Sequence, residues 1–170
     1  MHGEFREQID VLTSGPLFPF SGGLHETLPL AACGVYTIWK GTEFLYVGYG
    51  GRKLDLSISH LKMKGLKDRL DSHWRGRRSG DSFAVYVFDR LIIPGLTDEQ
   101  QKQFETGELK GDNLCREFIR SNLCYRFVAT KSCEEARAIE DILREGQGSV
   151  GPPLLNPKKP KKPRKPRKHL

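Results

Sequence analysis

Five side chains in this sequence are of types that do chemistry at an anionic centre. Two are phenols, Tyr36 in Gly34-Val35-Tyr36 and Tyr46 in Tyr46-Val47-Gly48. Arg69 and His73 fall four residues apart in Gly65-Leu66-Lys67-Asp68-Arg69-Leu70-Asp71-Ser72-His73-Trp74, so on a helix they share a face beside Leu66 and Leu70. Glu140 stands four after Ala136 and three before Leu143, along the apolar stripe of a helix that also carries Ile139. A carboxylate on that stripe is costly unless a cation or hydrogen bonds compensate it, whereas Glu134, Glu135, Asp141 and Glu145 read as solvated acids. An arginine holds an anion through its fork of donors. A phenol positions or deprotonates water if nearby cations pull its pKa below the usual value of about 10. A carboxylate supplies oxygen to a hard divalent ion.

A hairpin must position the phenols. Val35 to Lys40 and Glu43 to Tyr49 are rich in β-branched and aromatic residues, and Lys40-Gly41-Thr42 lies between them. The register decides whether the phenols meet. A two-residue loop, Gly41-Thr42, pairs Lys40 with Glu43 and Tyr36 with Val47, which sends the phenols to opposite faces. A three- or five-residue loop centred on Gly41 pairs Tyr36 with Tyr46 on one face. The odd loop is the expectation taken here.

Gly-Val-Tyr, Tyr-Val-Gly, a following helix with Arg69, a helix through Glu135-Ala136-Arg137-Ala138-Ile139-Glu140 and an Asn in Pro153-Leu154-Leu155-Asn156 occur in that order. The set resembles the catalytic module of the GIY-YIG nuclease superfamily over roughly residues 34 to 156. The resemblance implies a small α/β (α+β) domain, with a mixed or antiparallel sheet of about three strands flanked by helices. It implies a metal-dependent DNA endonuclease, of restriction type or from a mobile element, that hydrolyses phosphodiester bonds. Glu140 would ligate one Mg²⁺ or Mn²⁺, Arg69 would hold the scissile phosphate and Tyr36 would be the base. Tyr46 would position water or phosphate, and Asn156 would orient the Glu140 side of the site. Which tyrosine is the base stays open. His73 joins the candidates because some restriction members carry a His one turn after the catalytic Arg. By local pattern alone, Arg69 and His73 are surface residues of an amphipathic helix and Asn156 is a turn residue before Pro157. The sequence departs from the family's pattern in having Tyr49 after Tyr-Val-Gly, a long connection from Gly48 to the Arg69 helix, and an extra segment at 91–113. The alternative function is a nucleic-acid-binding protein that retains the fold without catalysis.

The rest of the chain supplies the scaffold. Residues 4–13 have Phe5, Ile9 and Leu12 at helical spacing, and the Gly/Pro/Phe-rich stretch after them reads as an extended cover over the sheet. The arm is 1–33. A helical stretch in two pieces broken at Gly65 is expected after the hairpin. Phe83 to Asp89 reads as a central strand, Thr97 as a helix cap, Leu114 to Asn122 as helix and Cys124 to Thr130 as strand. Ser132-Cys133-Glu134-Glu135 is a capping box opening a helix that ends at Gly146.

Charge is unevenly divided. The chain has 28 Lys and Arg against 21 Asp and Glu. Eight of the basic residues (Lys158, Lys159, Lys161, Lys162, Arg164, Lys165, Arg167, Lys168) lie in the Lys/Pro tail at 157–170, which has no acid; removing them leaves 20 basic against 21 acidic. The tail cannot bury a core and reads as disordered or polyproline II. With Arg75, Arg77 and Arg78 it is the expected nucleic-acid contact, and DNA is the expected partner, with a homodimer if both strands are cut. Cys33, Cys115, Cys124 and Cys133 form no Cys-x-x-Cys pair and read as buried, reduced thiols. No run approaches the roughly 18 apolar residues of a membrane span, and Met1 to Asp10 has no signal-peptide pattern, so a cytoplasmic location is expected.

Overall fold

The computed structural model describes residues 4–51, 65–147 and 149–156. The tail, the expected helical piece before Gly65 and Arg52 lie outside them. The element order is helix α1 (Arg6–Ser14), strand β1 (Phe18–Pro19), the hairpin β2 (Gly34–Lys40) and β3 (Glu43–Gly50), α2 (Leu66–Arg75), α3 (Ser82–Val87), α4 (Asp98–Glu105), α5 (Gly111–Asn122), β4 (Cys124–Ala129) and α6 (Cys133–Arg144). A π-helical turn, Phe88–Ile92, and a 3₁₀ turn, Ile93–Gly95, continue α3. The sheet has four antiparallel strands in the order β1-β4-β2-β3, not three. The extra strand comes from the N-terminal arm, where Phe18 and Pro19 pair with Tyr125 and Cys124 at the sheet edge. An edge is where a strand proline is tolerated.

The hairpin corrects the expected register and keeps its consequence. The loop is Gly41-Thr42, with Lys40 opposite Glu43 and Gly41 at φ 58°. A bulge follows: Trp39 pairs with Phe44, but Ile38 pairs with Tyr46, so Leu45 is the extra residue. One inserted residue flips every later side chain to the other face. Tyr36 therefore sits opposite Gly48 rather than Tyr46, yet both phenols face the same side. Without the bulge the two-residue loop would separate them.

Each sheet face has its own core. One contains Tyr36, Ile38, Leu45 and Tyr46 and is covered by Leu66 and Leu70 of α2, Phe83 and Val87 of α3, and Cys115 and Ile119 of α5. The other contains Val35, Trp39, Phe44 and Val47, covered by Leu12 of α1 and by Ala136, Ile139 and Leu143 of α6. The spacing read for α1 and α6 thus holds. Each fully buried Ile or Leu contributes about 1.5–3 kcal/mol relative to exposure. Ser132 caps α6 by accepting from the Glu135 amide, and Thr97 caps α4 in the same way through Gln100.

Phe83 to Asp89 is not a strand. Asp81 caps the segment by accepting from the Phe83 amide, and it winds as α3 and the π-helical turn. Its unbroken apolar run, read as a strand buried on both faces, belongs to a helix covered by sheet, α5 and neighbouring turns; such short runs carry no period that separates the two. The cysteines need a second correction. Cys33 and Cys133 form a disulfide with Cα atoms 5.2 Å apart, joining the start of β2 to the start of α6. The β2–β4 pairing and the hydrogen bond from the Thr130 amide to the Cys33 carbonyl bring these distant residues together. Cys115 is a buried free thiol, and burial pushes its pKa up to about 11. Among the described residues no helix is long and apolar enough to cross a membrane.

Candidate active site

Two close approaches build the site. A Cβ added at Gly48 would lie 2.6 Å from Cζ of Tyr36, so the glycine opposite Tyr36 makes room for the phenol to lie across β3. A Cβ at Gly50 would lie 2.5 Å from Cα of Leu66, so the end of β3 admits the start of α2. Asp68 fixes that start by accepting from the Gly65 amide at 3.0 Å. With α2 seated there, Leu66 and Leu70 are buried, and Arg69 and His73 point toward the tyrosines.

His73 is fully buried, so the surface reading of this residue does not hold. Its Nε2 lies 2.7 Å from the Tyr36 hydroxyl and its Nδ1 lies 2.6 Å from Oδ2 of Asp81. The Tyr36 and Tyr46 rings are 6.4 Å apart between centroids at 30°, and the imidazole is 5.3 Å from the first and 5.9 Å from the second. Phe83 closes the apolar wall, 4.6 Å from the imidazole and 5.1 Å from Tyr46. Arg69, half-buried, lies beside both phenols, close enough for its charge to act on each. The guanidinium has only donors, so toward a phenol oxygen it can act only as a donor.

The electrostatics follow from this packing. Burial, then the neighbouring Tyr46, raise the Tyr36 pKa well above its ordinary value, and Arg69 only partly opposes them. Burial likewise raises that of Tyr46 against the pull of Arg69. In the free chain both are therefore neutral phenols, contrary to the expectation that nearby cations would depress one of them. Burial opposes a charge on Arg69, but Tyr36, Asp81 and Tyr46 more than offset it and hold the guanidinium protonated. Burial lowers the His73 pKa despite Asp81, so the imidazole is neutral. Burial works against the Asp81 carboxylate too, yet His73, Arg69 and the Phe83 amide keep its pKa below the ordinary value.

Glu140 stands on α6, which packs against the other face of the sheet. Its side chain is 12% exposed, with Oε1 3.8 Å from Nη1 of Arg144, and its charge is felt at the Tyr46 phenol. Asn156 does not touch Glu140 in any contact the structure describes. Its amide straddles the β3 backbone instead, Oδ1 accepting from the Val47 amide at 2.8 Å and Nδ2 donating to the Val47 carbonyl at 2.9 Å. With the Leu154 and Leu155 amides bonded to the Phe44 and Leu45 carbonyls, it pins the edge strand at the residue next to Tyr46.

The basic loop is largely neutralised. Nε of Arg75 bonds to Asp71 at 2.7 Å, and Nε of Arg78 bonds to Asp112 at 2.9 Å with its guanidinium over Phe88. Arg77 is exposed. Two arginines that the sequence reading passed over, Arg116 and Arg120, reach this corner from α5 and donate to the last carbonyls of α2, those of Arg75 and Trp74. Asp81 is the other residue missed. An Asp followed by Ser82 and Phe83 is a helix-cap signal, but it was hidden by reading Phe83 onward as a strand.

The expected residues thus separate into groups. Tyr36, Tyr46, Arg69 and His73 converge, Glu140 borders them, and Asn156 acts on them through the backbone of β3. Against protein-family models, curated proteins and solved structures alike, the chain finds no match.

Proposed function

We propose that this protein is a metal-dependent DNA endonuclease with a GIY-YIG-type site. The observation that carries the reading is the convergence of two phenols, an arginine and a neutral imidazole on one side of the hairpin, with a carboxylate at its edge. A pure binding module has no use for a buried Tyr–His–Asp chain. Arg69 is the phosphate ligand: its charge lies beside two neutral phenols, and a phosphate is a far stronger acceptor for its fork. Tyr36 is wholly buried and Tyr46 is 8% exposed, so substrate arrives from the Tyr46 side, and moving Arg69 onto phosphate uncovers Tyr36.

Tyr36 is then the base and Tyr46 the group that positions the water. The attacking water gives its proton to the Tyr36 oxygen as the phenol's own proton passes to Nε2 of His73. The new P–O bond forms, the ester P–O bond breaks, and the leaving oxygen takes a proton from solvent. Imidazolium is tolerated in the interior because Asp81 is ionised beside it. Glu140 fits a single magnesium or manganese ion. It offers oxygen and its charge is felt at Tyr46; among the described residues no group of three or more His, Cys, Asp or Glu gathers to hold a metal, so substrate oxygens and water would complete the shell. One carboxylate with substrate oxygens and water suits Mg²⁺, which keeps much of its hydration, and the bound ion would offset charge on the leaving oxygen. Arg77 and the eight basic tail residues supply sequence-independent phosphate contacts, and cutting both strands would take two copies of the chain.

Relaxation of supercoiled plasmid tests the reading. Nicking is expected with Mg²⁺, none with EDTA, and none above background for Glu140→Gln. Cleavage by Glu140→Gln within a few-fold of wild type would remove Glu140 from the chemistry. Wild-type binding without Mg²⁺-dependent nicking would establish the non-catalytic alternative.

A further inference from the structure

Tyr36, His73 and Asp81 form one hydrogen-bonded chain, all three fully or almost fully buried. Its direction can be read from the ends inward. The cation of Arg69 lies beside the Tyr36 oxygen and offers no acceptor, so the phenol proton is directed to its hydrogen-bonded neighbour, Nε2 of His73. Nε2 must then lack a proton, and the ring hydrogen lies on Nδ1. At the far end Asp81 has only lone pairs to offer, so it requires a hydrogen on Nδ1 as well. Both ends demand the same tautomer. The other groups facing the imidazole are Tyr46 from β3 and Phe83 from α3, neither of which is ionised. Asp81 is itself held from both oxygens: Oδ1 accepts from the Phe83 amide at 3.1 Å as the cap of α3, which aims Oδ2 at the ring.

Resting on the nuclease reading above, we infer that Asp81 is a positioning residue that locks His73 with its proton on Nδ1, leaving Nε2 as the acceptor for the Tyr36 proton. Asp81 touches neither water nor phosphate and acts through the imidazole. It also stabilises the imidazolium once the proton has arrived. The carboxylate does this without itself taking the proton.

Asp81→Asn is the informative change. Asn caps helices as well as Asp does, so its carbonyl keeps the Phe83 amide. Its amino group then occupies the place of Oδ2 and points donors at Nδ1. The ring must invert, putting a hydrogen on Nε2 against the Tyr36 hydroxyl. Nitrogen NMR of the full chain with ¹⁵N-labelled histidine reads the tautomer directly, with no DNA present. The wild-type protein is expected to show His73 protonated on Nδ1, and the variant protonated on Nε2. Plasmid nicking by the variant is expected to fall by about 10²- to 10⁴-fold, the scale of a wrong tautomer in a hydrogen-bonded acid–base pair. Asp81→Ser, which keeps a cap but offers nothing to the ring, should give mixed tautomers and a smaller loss, and it replaces Asp81→Asn if that variant does not fold. A wild-type ring protonated on Nε2, an unchanged tautomer in Asp81→Asn, or an inverted tautomer with nicking within threefold of wild type would each overturn the inference. Tautomers as expected in a wild-type protein that cuts no DNA would sink the nuclease reading and leave the locking of His73 standing.

Discussion

The two faces of the β2–β3 hairpin are built from the same stretch of chain and spend their polar groups differently. On the α1/α6 face the buried polar side chains turn to backbone: Thr13 donates to the Ile9 carbonyl, Arg126 to that of Gly15, and the third is Thr37. Its hydroxyl donates to the Leu12 carbonyl at 2.7 Å and accepts from Nε1 of Trp39 at 2.9 Å. Both bonds end inside the fold, and around them Val35, Val47, Ala136, Ile139 and Leu143 are purely apolar. On the α2/α3 face, Tyr36, His73 and Asp81 are linked side chain to side chain, and the chain runs out through Arg69 toward solvent. A buried network of that kind is expensive to assemble, since each unsatisfied member costs about 1–3 kcal/mol. The contrast is what motivates the proposal that the α2/α3 face works on a ligand.

That contrast can be broken by exchanging roles across the sheet. A large effect on chemistry is expected from Arg69→Lys, which keeps the charge and loses the fork. Single-turnover cleavage should fall by about 10²- to 10³-fold, while the melting temperature moves little. Retained activity would place the phosphate ligand elsewhere. Ile139→Ala on the other face should do the reverse. A fully buried Ile is removed from α6, so unfolding by denaturant should show a loss of about 2–5 kcal/mol, while cleavage by the folded fraction stays within a few-fold of wild type. A large loss of cleavage in the folded protein would mean that the two faces are coupled.

A smaller effect comes from pH. Burial holds the folded His73 pKa below its ordinary value of 6.5, so the unfolded chain binds the proton more readily. Stability should therefore be undiminished above pH 6.5 and fall as pH drops through 6.5 toward the folded pKa. Asp81 has the opposite sign of shift relative to its charge: its depressed pKa contributes stability above the ordinary 3.8 that is lost only below it. Denaturant midpoints at pH 7.5 and 5.5 should differ by more in the wild-type protein than in His73→Gln. An equal difference in both would mean that His73 is not the titrating group.

The working face was only partly legible in the sequence. Arg69 and His73 fall together by helical spacing, because period is a local property; the same reasoning puts Glu140 along the stripe of α6, which packs on the opposite face. The pairing of the phenols came out on one face for a different reason from the one expected. A two-residue loop was combined with a bulge at Leu45, and no residue type announces a bulge inside an apolar strand. Asp81 was lost because an apolar run too short to show a period was given to a strand. The Cys33–Cys133 bond was lost because its partners are brought together by sheet pairing across 100 residues, and spacing carries no trace of that. Asn156 was found by its motif, but its amide grips the backbone of β3, a role that only the strand's position reveals.

Tyr36→Phe tests the central claim most directly, because it removes one oxygen from the working face and nothing from its packing. Thermal melting and Mg²⁺-dependent plasmid nicking should be measured on the same preparation. The account predicts a protein that still folds, less stable by about 1–3 kcal/mol because Nε2 of His73 loses its partner, and nicking reduced at least about a hundredfold, as befits loss of a general base. Nicking within a few-fold of wild type by the folded variant would contradict it, and the buried Tyr36–His73–Asp81 chain would then be part of the scaffold.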